Sequence, residues 1–123
     1  MKLIETDNTG AKLSAVQYCE KHYPDMTREF RLIMEEQYQL FCAKQFNYGP
    51  ANIAVGTTLQ TPDDIRLSLT GIWFRVSDKV NRLKQLIVLG HEDRVGESAS
   101  DTLKDLSVYG IIAQIVQRGK WAK

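Results

Sequence analysis

The stretch TPDDIRLSLTGIWFRVSDKVNRLKQLIVL, residues 61–89, decides the fold of this 123-residue chain. Its start is typical of a helix: Thr61 can cap the first turn, Pro62 suits the first helical position, and the next two acids favour the N-terminal dipole. Apolar residues then recur at helical spacing until Gly90 ends the pattern. The sequence therefore predicts a long helix with one apolar face, formed by Ile65, Leu69, Ile72, Val76, Val80, Leu83 and Ile87.

Helical patterns also precede this segment. Residues 12–23, KLSAVQYCEKHY, predict a first helix that ends before Pro24, because proline does not continue a helix comfortably. Residues 27–45, TREFRLIMEEQYQLFCAKQ, repeat apolar side chains at helical spacing and predict a second helix that ends near Phe46. The Asn-Tyr-Gly-Pro run at residues 47–50 is a strong helix breaker.

The remaining segments complete an all-α architecture. Residues 51–60 predict an ordered loop, since a lone strand there would have no partner. A last helix begins at a capping box, in which Ser98 is followed three residues later by Asp101, and it runs to about Arg118. The sequence therefore predicts a four-helix bundle in one domain, residues 1–123, with its core at about residues 11–121.

The central helix has a second face that is also largely apolar. A helix that is apolar on two sides is packed by neighbours on both of them. Because one chain offers few partner helices, we expect another subunit to cover one face, giving a homo-oligomer such as a dimer or tetramer. This second face carries Leu67, Gly71, Phe74, Asp78 and Arg82.

Composition limits the classes of partner that the chain can attract and indicates its cellular compartment. The chain is 43% hydrophobic and 25% charged with a net charge of +1, so no strong field attracts membranes or long nucleic acids. No segment approaches the length of a membrane span, and the N-terminus lacks a signal-peptide core. Cys19 and Cys42 lie in helical patterns and are expected to be buried thiols. The expected location is the cytoplasm.

Acids on apolar helix faces are the candidates for chemistry. Asp78 and Asp105 lie where the periodicity predicts burial. Burial is costly for a carboxylate unless a cationic side chain or a metal ion compensates its charge. Asp101 and Asp105 lie one turn apart, and a divalent cation would relieve their repulsion. The alternatives are that Asp101 only caps its helix, that Asp105 pairs with a lysine or arginine, and that Asp78 pairs with Arg82.

A fourth acid and several cations extend this candidate site. Glu36 lies nearer the apolar side of the second helix than Glu35 does, so Glu36 is the preferred ligand. Lys44, Lys79 and Arg82 could contact phosphates, although solvated or snorkelling side chains are the plain alternative. Stacking and amide groups of the kind that hold a nucleotide base are offered by Tyr48, Asn52 and Trp73, although a loop tyrosine and a core tryptophan are the plain alternative. Tyr109 is a further candidate for substrate binding.

Three segments resemble a known family. They are KQFNYGPANI at residues 44–53, SLTGIWFRVSDKVNRLKQLI at 68–87, and DTLKDLSVYGIIAQIVQRGKW at 101–121. These segments resemble the first nucleotide-modification-associated domain family, which is frequent in bacteriophages and is placed with the MazG-like all-α nucleoside triphosphate pyrophosphohydrolases. The similarity covers about residues 30–121.

The resemblance implies an oligomeric helical bundle in which acids on facing helices hold Mg²⁺, or Mn²⁺ in its place. It also implies the cytoplasm of a host cell, if the chain is viral. MazG-like enzymes pair an EExxE helix with an ExxD helix. Here Glu35 and Glu36 are followed by Gln39 in place of the third glutamate, and Asp101-x-x-x-Asp105 replaces ExxD.

Two functions follow as hypotheses. The first is a Mg²⁺-dependent nucleotide pyrophosphohydrolase, or a close relative that acts on modified nucleotides, with Glu36, Asp78 and Asp105 as catalytic acids. The second is a non-catalytic protein that binds and sequesters a nucleotide or nucleotide signal, which the missing third glutamate favours. A bundle whose acids are all paired for structural reasons is the third alternative.

Overall fold

The computed structural model describes residues 3–6 and 10–123, and this part of the chain is mostly helical with very little strand. The all-α prediction is therefore confirmed at the level of fold class. The chain divides into two compact units, Met1–Leu40 and Phe41–Lys123. The prediction of one domain over residues 1–123 stays a prediction. Within the described residues, no helix combines the length and apolarity needed to cross a membrane.

The first unit opens with a short hairpin that the sequence did not predict. Strand β1, Leu3–Thr6, pairs antiparallel with β2, Lys12–Ser14. Helix α1, Ala15–His22, therefore starts three residues later than expected. The reason is local: the Ser14 hydroxyl accepts a hydrogen bond from the Gln17 backbone, and the Gln17 side chain accepts one from Ser14. This capping box fixes the helix start.

Helix α2, Pro24–Tyr48, is the longest element. Pro24 begins it rather than merely ending α1, since proline is well suited to the first turn of a helix. The helical spacing of its apolar residues was predicted correctly, but many of them lie in contact with solvent. The exposed ones that share a side of the helix in the first unit are Met26, Phe30, Ile33, Met34 and Leu40.

The second unit contains three further α-helices. Helix α3, Ala51–Ala54, is a single turn where a loop was predicted. Helix α4, Pro62–Leu83, begins at the predicted Thr61 cap and continues into a π-helical turn, Lys84–Val88. Helix α5, Ala99–Gln117, begins at the predicted capping box. The cap signals therefore located both helix starts correctly.

Helices α4 and α5 pack against each other, and α3 packs on α4. Burial of apolar side chains between them supplies the main stabilisation of this unit. The Ser68 hydroxyl, buried in α4, donates to the Ile53 carbonyl at 2.6 Å and joins α4 to α3. The buried core consists of Ile53, Leu59, Ile72, Ile112, Val116 and Trp121.

The two apolar faces predicted for α4 differ in the structure. Ile72 is buried, and other members of the first face pack against the core. On the second face, Leu67 is 48% exposed and Phe74 is 60% exposed, and Asp78 is exposed as well. Helix α5 covers only one side of α4, so burial of Leu67, Phe74 and Asp78 within the single chain is not found, whereas Arg82 on the same face is only 22% exposed. The cover of this face by another subunit stays a prediction.

Candidate functional site

A group of charged side chains lies where α4, α5 and their connecting segment meet in the second unit. Its acids and bases are equal in number, and each is within 4 Å of an opposite charge. Four of its members were predicted from the sequence as site residues. We call it the charge cluster, and it consists of Lys44, Lys79, Arg82, Asp93, Glu97 and Asp105.

Lys79 is at the centre of the charge cluster. Its ammonium lies 2.5 Å from Glu97 Oε1 and 3.0 Å from Asp105 Oδ2, and its side chain is only 21% exposed. The hydrogen bond to Glu97 raises the pKa of Lys79, and Asp105 adds to this effect, although partial burial opposes it. The amine is therefore held in its charged form, as a phosphate contact requires.

Arg82 lies one turn further along α4 and faces the same connecting segment. Its Nη2 atom donates to Asp93 Oδ1 at 3.0 Å and to the backbone carbonyl of Glu97. Its Nε atom is 3.7 Å from Glu97 Oε2, yet within the described residues this buried nitrogen makes no hydrogen bond. The guanidinium thus retains one donor that a better-placed anionic oxygen could satisfy.

The carboxylate of Asp93 accepts hydrogen bonds from its own loop as well as from Arg82. The backbone N–H of Val95 donates to Asp93 Oδ1 at 3.1 Å. That hydrogen bond lowers the pKa of Asp93, and the neighbouring Arg82 lowers it further. Asp93 therefore remains a carboxylate well into the acidic range and keeps its attraction for Arg82.

Asp105 is partly buried, as the periodicity predicted, and it is paired with cations. Besides Lys79 at Oδ2, it has Lys44 at 3.8 Å from Oδ1. The pairing alternative raised from the sequence is the arrangement found here. A metal ion at Asp105 would have to share these oxygens with two ammonium groups, which repel it.

Asp78 differs from its prediction in two respects. It is exposed rather than buried, because α5 does not cover this part of the second face of α4 in the chain. Arg82, its expected partner one turn away, instead contacts Asp93 and Glu97. Asp78 therefore lies outside the charge cluster.

The other predicted metal ligands do not complete a metal set. Asp101 caps α5, with its Oδ2 accepting from the Ser98 backbone at 3.3 Å. Glu36 is an exposed residue of α2 in the first unit. Across residues 3–6 and 10–123, no group of three or more acids, histidines or cysteines is arranged to hold a metal ion. Metal binding therefore stays a prediction.

The predicted base-binding groups lie on different elements. Tyr48, at the end of α2, is 79% exposed, and Asn52 is exposed on α3. Trp73 is also exposed, with its ring edge-on to Phe74. Tyr109 is half-buried beside the core, and the Arg75 guanidinium lies 5.8 Å from its ring centre. These groups remain candidates, but among the described residues no hydrogen bond or ion pair joins them to the charge cluster.

Sequence reasoning missed Asp93 and Glu97. Both lie in HEDRVGE, residues 91–97, which reads as a plain connection between two helices. A usable signal was nonetheless present. Three acids in a short loop follow a helix end that carries Lys79 and Arg82, so opposite charges are close along the chain.

Comparison with known proteins gives no relative of this chain. No family model matches it, and neither a curated protein nor a solved structure matches it significantly.

Proposed function

We propose that this chain is a nucleotide-binding protein that holds the phosphate chain of its ligand with Lys44, Lys79 and Arg82. One observation carries the proposal. The three cations that the sequence predicts as phosphate contacts all belong to the charge cluster. Lys44 and Lys79 flank Asp105, and Lys79 and Arg82 share Glu97. Arginine can donate two parallel hydrogen bonds to a phosphate, and lysine acts as a point charge for it.

The family resemblance supports a nucleotide as the class of ligand. It also supports a MazG-like four-helix arrangement, which we propose forms within an oligomer. The apolar side chains exposed on α2 and on the second face of α4 favour this assembly, since a monomer seldom leaves so many uncovered. A second subunit would bury them.

The proposed reaction is release of pyrophosphate from a nucleoside triphosphate in the presence of Mg²⁺ or Mn²⁺. Asp105 is the predicted catalytic acid that lies among the proposed phosphate contacts. The roles of Glu36 and Asp78 in that reaction rest on the resemblance and on residue type alone. No step is assigned to a metal, because the described acids do not form a metal set.

Binding without hydrolysis is the second candidate, and a specific observation favours it. Both oxygens of Asp105 face lysine ammonium groups. Each oxygen is therefore engaged by a cation rather than open to a water that it could activate. Such a protein would sequester its nucleotide and return it intact.

An activity panel separates the two candidates. Unmodified and modified nucleoside triphosphates, each with Mg²⁺ or Mn²⁺, are incubated with the protein, and released pyrophosphate is measured. Hydrolysis predicts release that Asp105→Asn abolishes. Asp63→Asn, at an exposed position in the first turn of α4, is the matched aspartate control. Sequestration predicts binding of a nucleotide that is recovered whole. Unchanged thermal stability with every nucleotide and metal would contradict both, because a ligand of the native state must raise its stability.

A further inference from the structure

The connection between α4 and α5 is held to the protein by charge rather than by apolar packing. Residues 90–96 are all exposed, and Val95, the only aliphatic side chain among them, is 75% exposed. His91 donates its backbone N–H to Gln85 at 2.9 Å, which fixes the start of the segment. Ser98 caps α5 and fixes its end. Residues 92–97, which we call the acidic strap, lie between these two attachment points.

The acidic strap is attached to Lys79 and Arg82, two of the three proposed phosphate contacts. Glu97 presents one carboxylate oxygen to Lys79 at 2.5 Å and the other to Arg82 Nε at 3.7 Å. Asp93 takes the Nη2 donor of the same guanidinium at 3.0 Å. Two carboxylates of the chain thus occupy the donors that an external anion would need.

The carboxylate of Glu97 resembles part of a phosphate group in the anionic oxygens that it presents to the two cations. It bridges an ammonium and a guanidinium with two anionic oxygens, as two non-bridging phosphate oxygens would. A phosphate carries a greater negative charge and a third acceptor oxygen. It could also satisfy the Arg82 Nε atom, which lacks a hydrogen bond in the described residues. A phosphate is therefore the stronger ligand for these cations.

The strap is built so that its contacts can be released. Its ion pairs are partly exposed to solvent, between about a fifth and two-fifths at each side chain, and ion pairs of that kind are weak. Gly96 adopts a positive φ of 76° directly before Glu97, a conformation that glycine enters and leaves without steric cost. Release therefore separates few contacts and exposes no apolar core.

We propose that the acidic strap is an internal competitor that occupies the Lys79–Arg82 site and is displaced when a phosphate ligand binds. The inference rests on the proposed function, because it takes these cations as the phosphate contacts. The closed strap lowers the apparent affinity by the fraction of molecules in which the site is occupied. A ligand that binds the open form shifts the population towards it.

Calorimetric titration with inorganic pyrophosphate tests the competition. Glu97→Gln keeps the size of the side chain and removes its charge, so pyrophosphate should bind about fivefold more tightly than to wild type. Glu92→Gln is the matched control, because Glu92 lies in the strap but pairs with the exposed Arg94. Unchanged binding by Glu97→Gln would overturn the proposal. Weaker binding would overturn it as well, because it would show that Glu97 positions the cations instead of competing for them.

A second measurement uses the wild-type chain and does not depend on how a variant folds. Arg94 lies in the strap with its side chain 83% exposed and offers a trypsin site. Pyrophosphate should accelerate tryptic cleavage after Arg94 relative to sodium chloride of equal ionic strength. Slower cleavage after Arg94, or an unchanged rate at saturating pyrophosphate, would overturn the proposal that the strap is displaced.

The two tests also separate this proposal from the proposed function. If pyrophosphate binds wild type and Lys79→Gln weakens it, while Glu97→Gln and the cleavage rate show no effect, the phosphate site stands and the strap fails. If neither wild type nor Glu97→Gln binds pyrophosphate, the phosphate site fails and the strap fails with it.

Discussion

The ammonium of Lys79 lies 3.0 Å from Oδ2 of Asp105 and links α4 to α5. Lys79 was selected from the sequence as a phosphate contact, and Asp105 as a catalytic acid and metal ligand. Their direct contact means that the charge of each controls what the other can bind. An anion at Lys79 competes with Asp105, and a cation at Asp105 competes with Lys79.

Replacing Asp105 with asparagine tests this contact. Removing its charge leaves Lys79 and Lys44 less neutralised, so inorganic pyrophosphate should bind about threefold more tightly in calorimetric titration. Asp63→Asn makes the same chemical change at an exposed position in the first turn of α4, outside the charge cluster, and should leave the affinity unchanged. Equal effects at the two positions would indicate only a general change in net charge.

The capping box of α5 makes a prediction about stability. The Ser98 hydroxyl accepts from the Asp101 backbone at 3.1 Å, and the Asp101 carboxylate accepts from the Ser98 backbone. Ser98→Ala should lower the free energy of unfolding by about 1 kcal/mol in urea denaturation. Ser100→Ala, an exposed serine in the first turn, is the control and should cost clearly less. A negligible loss in Ser98→Ala would show that the cap is not formed.

Asp93 predicts how stability varies with pH. The pKa of Asp93 in the folded chain is lower than the ordinary 3.8. The ionised carboxylate of Asp93 therefore stabilises the folded state at pH values above 3.8. The contribution disappears as the pH falls through the lowered pKa, where the carboxylate is protonated in both states. The stability advantage of wild type over Asp93→Asn, measured by urea unfolding, should therefore hold from neutral pH to about 4 and decrease progressively as the pH falls further. An advantage that grows in acid would contradict this assignment.

The exposed apolar side of α2 predicts self-association. Phe30 is 67% exposed on that side, and we expect wild type to be a dimer or larger assembly in light scattering. Phe30→Asp should shift it to a monomer, since it places a charge in the buried interface. Leu32→Asp is a matched control: Leu32 is 48% exposed, but two positions along a helix point about 160° apart. A monomeric wild type at micromolar concentration would count against the assembly.

Local signals in the sequence identified the helices but not every site residue. The caps at Thr61 and Ser98 were recognisable because their hydrogen bonds connect residues three positions apart. The exposure of Asp78 depends on which side of α4 is covered by α5, and periodicity alone does not contain that information. Glu97 reaches Lys79 across 18 residues, from a loop without a periodic pattern. Its position is set by ion pairs of the folded structure, which a local sequence pattern does not contain.

The central claim is that Lys79 and Arg82 hold the phosphate chain of a nucleotide. Mass spectrometry of small molecules that copurify with the native protein tests it most directly, with a Lys79→Gln, Arg82→Gln double variant prepared in parallel. The account predicts a phosphorylated nucleotide with wild type and its loss from a folded double variant. A wild-type protein that carries no nucleotide and takes up none on incubation with a mixed nucleotide pool, or equal amounts in both proteins, would contradict it.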